Sequence, residues 1–100
     1  MDLHWGTLTR DLDLATARAK ATAAIIGAGY QLWNDPNSDY YIVLGGSGEV
    51  NITISLAPQE AETFIAVIVD SSNNSAESVR NTVRSLIDTA PAPAPLPKLP

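Results

Sequence analysis

From Leu14 the apolar positions fall at Leu14, Ala17, Ala21, Ala24, Ile25 and Ala28, and those intervals of three and four make one face of a helix. Most of that face is alanine, so the helix can lie close to whatever it covers. Asp11 or Asp13 can cap its first turn with a carboxylate, and Gly29 supplies a left-handed stop just past its end. Upstream, residues 3–9 read as a short extended segment at best.

After Gly29 the period changes. Tyr30 to Trp33 reads as a short strand, Asn34 to Asp39 as a dense turn, and Tyr40 to Leu44 as a second strand. Gly45, Gly46 and Gly48 form a hairpin connection around Ser47. The strand from Val50 to Leu56 alternates cleanly: Val50, Ile52, Ile54 and Leu56 point one way, Asn51, Thr53 and Ser55 the other. Pro58 ends it, and Thr63 to Val69 is the last strand. Asn74 and Glu77 have the spacing of a capping box, and Val79, Val83, Leu86 and Ile87 share one face of a second helix. Five prolines between Ala90 and Pro100 forbid its continuation and make an extended tail.

The order is therefore α-β-β-β-β-α. Short turns force neighbouring strands to be antiparallel, which gives a four-stranded meander. Each helix must hide one side, and the simplest solution is an α+β two-layer sandwich with both helices on one face of the sheet. Residues 1–90 make one domain on this reading, and 91–100 are the tail.

The second and last strands do not alternate. Tyr40 to Leu44 and Phe64 to Val69 are apolar throughout, as strands buried on both sides are. The face away from the helices is expected to carry Tyr41 and Val43, with either Ile65, Val67 and Val69 or Phe64, Ala66 and Ile68. Asn51, Thr53 and Ser55 run among them as a polar row. The interaction surface expected from these patterns is Tyr41, Val43, Asn51, Thr53, Ser55 and Val67. Covering a few hundred Å² of such surface is worth on the order of 10 kcal/mol gross. Three covers present themselves: the N-terminal segment with Leu3 and Trp5 folding across, a second copy of the chain, or a foreign partner or apolar ligand.

Composition narrows the chemistry. The chain has 100 residues, 45% of them hydrophobic and 17% charged, which is a globular composition. The absence of cysteine excludes disulfides and thiolate chemistry, and the single histidine excludes a His-rich metal site. A net charge of −5 argues against a nucleic-acid partner. No apolar run is long enough to cross a bilayer, and the N-terminal residues show no basic start followed by an apolar run, so no signal peptide is expected in them. A cytoplasmic protein is expected, or a secreted or cell-envelope one if a leader has been removed. Between Lys20 and Arg80 no basic residue occurs, so the sheet half is acidic while Arg18, Lys20, Arg80 and Arg84 ride on the helices.

Motifs for catalysis are weak. Asp35, Asn37 and Asp39 have the opening spacing of a calcium loop, but Tyr40 stands where glycine is needed and Gly46 where a bidentate glutamate is needed. The glycines at 45–48 lack the lysine and following helix of a phosphate loop. Ser71, Ser72, Asn73 and Ser75 precede a helix N-terminus and serve as caps before they serve an anion. His4 has no nucleophile elbow to serve, and Glu60 and Glu62 lie in a polar loop. Pro97 to Pro100 makes one Pro-x-x-Pro match. Neither cofactor nor metal is expected. The reading is a non-enzymatic interaction or structural domain acting through the second sheet face, as a homodimer or with a protein partner. The alternative is a small-ligand binder with a pocket between the alanine-rich helix and the sheet, lined by Tyr30, Trp33 and Tyr40.

Overall fold

The computed structural model describes residues 2–35 and 40–89, so Asn37 and Asp39 of the calcium-like spacing and the proline-rich tail lie outside the described residues. The chain runs β1 (Asp2–Arg10), α1 (Leu14–Gly27), β2 (Gln31–Leu32), β3 (Ile42–Gly46), β4 (Val50–Pro58), β5 (Thr63–Ser71) and α2 (Ala76–Thr89). The expected meander β2-β3-β4-β5 is present, and all its pairs are antiparallel. The sheet has a fifth strand, however. The N-terminal segment is not a loose extension but a full strand, paired antiparallel with β5 from Asp2 opposite Ser71 to Arg10 opposite Thr63. The sheet order is β1-β5-β4-β3-β2.

β5 is an interior strand between β4 and β1, yet its apolar run does not reflect burial on both sides. Its backbone donors and acceptors are used on both sides, and only one of its faces is dry. Thr63, Ile65, Val67, Val69 and Ser71 are buried, whereas Phe64 and Ile68 are exposed.

Both helices lie on the same face. α1 packs over β3 and β4, α2 over β1 and β5, and the two helices pack on each other. Ala17, Ala21, Ala24 and Ile25 of α1 and Ala76, Val83 and Ile87 of α2 are fully buried. They close on Val50, Ile52, Ile54 and Leu56 of β4, Ile65, Val67 and Val69 of β5, and Val43 of β3. The alanine face lets α1 sit so close that a Cβ at Gly45 would lie 2.6 Å from both Ile25 Cγ2 and the Gln31 carbonyl oxygen.

Asp13 is the carboxylate that caps α1, accepting from the Thr16 amide at 2.7 Å, and that hydrogen bond holds its carboxyl below the usual range. Gly29, at φ +92°, turns the chain out of α1 as expected. The start of α2 differs from the capping box drawn from Asn74 and Glu77. Asn74 takes a left-handed turn at φ 59°, and the first helical hydrogen bond runs from the Val79 amide to the Ser75 carbonyl. The cap thus falls one residue later, because the αL turn at Asn74 redirects the chain first.

The far ends of β1 and α2 are tied by Arg10 and Asp88, a two-pronged ion pair with both contacts at 2.7 Å. The Arg10 guanidinium holds the Asp88 carboxyl below its usual range, chiefly through this hydrogen bond. A carboxyl depressed in the folded state stabilises the fold above its unfolded-state pKa, and that stabilisation is lost as pH falls through the folded-state value. Asp88→Asn is therefore expected to be less stable than the parent at neutral pH. The two should converge in acid below the carboxylate range, and also in high salt because the pair is exposed. Urea titrations at neutral and acid pH measure both effects. Gly45→Ala is expected to cost about 1–3 kcal/mol by overpacking, read as a lower urea midpoint.

Candidate functional site

Strand register sorts the side chains of the uncovered face into rows that cross the sheet. Trp5, Ile68, Thr53 and Leu44 are successive cross-strand neighbours. The row is continued by Trp33, whose amide donates to the Leu44 carbonyl at 2.8 Å. On one side lie Leu3, Asp70, Asn51, Gly46 and Gln31, and on the other Thr7, Ala66, Ser55 and Ile42. Thr9, Phe64 and Ala57 make the last row. Read along the strands, the centre strand β4 is a polar column and the strands beside it carry the apolar groups. Trp5 and Trp33 stand at the two margins.

The large apolar side chains of this face are open to solvent. Trp5 is 66% exposed, Leu3 61%, Trp33 48%, Ile42 41%, Phe64 39% and Ile68 37%. Asp70 is the one charged residue in the rows, and its Oδ1 is buried without a hydrogen-bond partner. The other acids of the sheet half that can be described, Asp35, Glu49, Glu60 and Glu62, sit in the connections between strands. The flanks of the face are therefore apolar apart from Asp70, and the acids of the connections lie at the sheet ends.

The structure places three of the six residues of the expected interaction surface on the open face. Asn51, Thr53 and Ser55 line the open face. Val43 and Val67 do not: both are fully buried on the helix side. Tyr41 is exposed, but its carbonyl accepts from the Leu56 amide, and this continued register sets it opposite Leu56, on the side of the helices. The groups that do stand on the face are Ile42 and Leu44 of β3, Phe64, Ala66 and Ile68 of β5, Leu3 and Trp5 of β1, and Trp33. The cause is parity. Residues 47–50 and 59–62 close the two hairpins. An even loop sets odd positions of one strand opposite even positions of the next. Counting each loop as even, from the fixed alternation of β4, is the signal that would have found the correct set.

The first proposed cover is excluded. Leu3 and Trp5 do not fold across the face but extend it, on β1. Among the described residues nothing lies over it.

The edges of the sheet are occupied. Arg80 and Arg84 reach from α2 and donate to the Trp5 and Thr7 carbonyls of β1 at 3.2 and 3.1 Å. Their stems cover Gly6, where a Cβ would lie 3.1 Å from Arg84 Cδ. At the opposite margin β2 is only two residues long. Beyond it the Asn34 side chain donates to the Ile42 carbonyl and accepts from the Leu44 amide, each at 2.9 Å. Guanidinium and carboxamide groups thus take backbone positions that another strand would need.

The remaining candidate residues serve the fold. Asp2 Oδ2 accepts from the Ala76 amide at 3.0 Å, capping α2 from β1, and His4 Nε2 lies 3.1 Å from the other Asp2 oxygen. Ser71 Oγ accepts from the Ser75 amide, and Asn73 donates to Glu49. Glu62 closes the β4–β5 turn through its carbonyl. The Ser47 amide donates to the Val50 carbonyl in the glycine hairpin. Tyr40 lies under the Arg18 guanidinium, 5.2 Å from ring centroid to carbon. No group of three or more metal-ligating side chains occurs among the described residues, and no described helix is long and apolar enough to cross a membrane.

Comparison of the chain with family models, curated proteins and solved structures gives no match. What the fold and the surface define by themselves is an α+β two-layer sandwich with one bare sheet face. Loss of the Asp2 cap should be felt at the far end of the chain: Asp2→Ala is expected to destabilise the fold by about 1 kcal/mol. Amide exchange in the first turn of α2 should rise, measured by hydrogen–deuterium exchange.

Proposed function

We propose that this chain is a non-enzymatic interaction domain that works through the open face of its sheet. The observation that carries the reading is a face with tryptophan at both margins, Ile42, Phe64 and Ile68 between them, and one charge. A monomer that stayed alone would gain from replacing these side chains with polar ones, since covering them is worth ~25 cal/mol per Å². A catalytic reading finds no support in His4, whose recorded contact is the carboxylate that caps α2. The cysteine-free chain is compatible with a reducing cytoplasm, the compartment proposed for it.

The alternative, a ligand pocket under the alanine-rich helix, has less behind it. Ala17, Ala21, Ala24 and Ile25 have no exposed surface, and the contact of Ile25 with Gly45 leaves no room for a methyl group. Trp33 turns to the open face, its ring 2.9 Å from where a side chain on Gly46 would begin. Of Tyr30, Trp33 and Tyr40, only Tyr30 packs against the core.

The test is hydroxyl-radical labelling of Trp5, Trp33 and Phe64 in cells producing the protein, set beside the purified chain at high dilution. Protection in cells, with the exposed Ile26 of α1 labelled equally in both, is the expected result. Equal labelling of the three aromatic residues in both settings would overturn the proposal.

A further inference from the structure

Resting on that reading, we infer that the occupant of the open face is a second copy of this chain. The two copies are related by a two-fold axis that lies in the plane of contact and crosses β4 at Thr53.

The column pattern is the first reason. Polar Asn51, Thr53 and Ser55 run down the middle strand, with apolar groups on β5 and β3 beside them. An isologous contact centred on β4 lays polar column on polar column and apolar flank on apolar flank. This holds whether the axis runs along the strand or across it. Short polar side chains then meet their own kind, where hydroxyl and carboxamide groups can satisfy one another. Moving the axis to run along β5 would instead set Asn51 and Thr53 of β4 against Leu3 and Trp5 of β1, and Asp70 against its own copy.

Charge is the second reason. A chain of net charge −5 repels its copy over most of its surface. The open face carries only Asp70, near one end of the rows. An axis at Thr53 keeps the two Asp70 carboxylates apart. With the axis along β4, Asp70 of one copy lies over Gly46 of the other. With the axis across β4, it lies over Ala66.

Area is the third reason. Five strands of up to nine residues present roughly 600 Å² of face at the usual strand spacing and rise. Two copies then bury on the order of 1,200 Å², the lower end of stable specific interfaces. Edge-to-edge association is the competing arrangement. Arg80 and Arg84 of α2 hold two carbonyls of β1, and the Asn34 side chain holds a carbonyl and an amide of β3, all groups it would use.

Two measurements on the purified full chain test the inference. Sedimentation velocity across a wide range of concentration is expected to show a monomer–dimer equilibrium. Ile68→Lys should weaken it roughly tenfold or more, as loss of a central apolar contact does. Trp5→Lys, on an outer strand with the side chain largely in solvent, is the second variant if the first does not fold. The chain has no cysteine of its own, so single-cysteine variants report geometry. Thr53→Cys is expected to join to its copy through a short bismaleimide, whereas Asn81→Cys on α2 is not. A chain that stays monomeric at every concentration overturns the inference, as does a dimer in which Asn81→Cys links and Thr53→Cys does not. A monomer whose aromatic face is nonetheless protected in cells would sink the second copy and leave the interaction reading standing. Equal labelling in cells would sink the reading itself.

Discussion

Nine consecutive cross-strand pairs tie the N-terminal segment to the last strand. Everything else in the molecule is arranged around that seam. It joins residues more than fifty positions apart, so its loop-closure cost is high and must be offset by what it brings together. It converts β5 from an edge to an interior strand. It carries Asp2 to the N-terminus of α2, Arg10 to Asp88 near its C-terminus, and Gly6 under the stems of Arg80 and Arg84. α2 is thereby held at both ends and in the middle by β1, a strand that would otherwise have no partner on its outer side.

A second consequence is geometric. Two helices of 14 residues cover one face of five strands and no more. Adding β1 widens the sheet without adding a layer. Trp5 and Leu3, the residues best placed to shield the other face, become part of it. The same strand that completes the core on one side thus enlarges the apolar area on the other. Edge protection runs in the opposite sense, since arginine and asparagine side chains occupy the margins. Backbone groups at both margins are thus taken by side chains, while one face stays open with Asp70 as its one charged residue.

The close approach of α1 decides the character of the interior. Alanines at intervals of three and four bring the helix backbone near the sheet, and glycine at position 45 is what that proximity requires. The interior is consequently tight, with its volume supplied by isoleucine and valine from the strands. Apart from Tyr30, which packs against the core, the aromatic residues are left at the surface.

Local pattern in the chain determined the two helices and their buried faces. It also determined the polarity of β4 and the antiparallel meander. Those features depend on residues a few positions apart: the 3.6-residue period of Val79, Val83 and Ile87, the alternation from Val50 to Leu56, the glycine at 29. Only the tertiary structure decided that residues 2–10 are a strand, because nothing local distinguishes an edge strand from an extended arm until β5 is there to pair with it. It also decided which side of β3 and β5 faces out. In strands apolar at every position the sequence carries no parity of its own. The two hairpin loops supply it, and so Val43 and Val67 went to the core while Ile42 and Ile68 went to the surface.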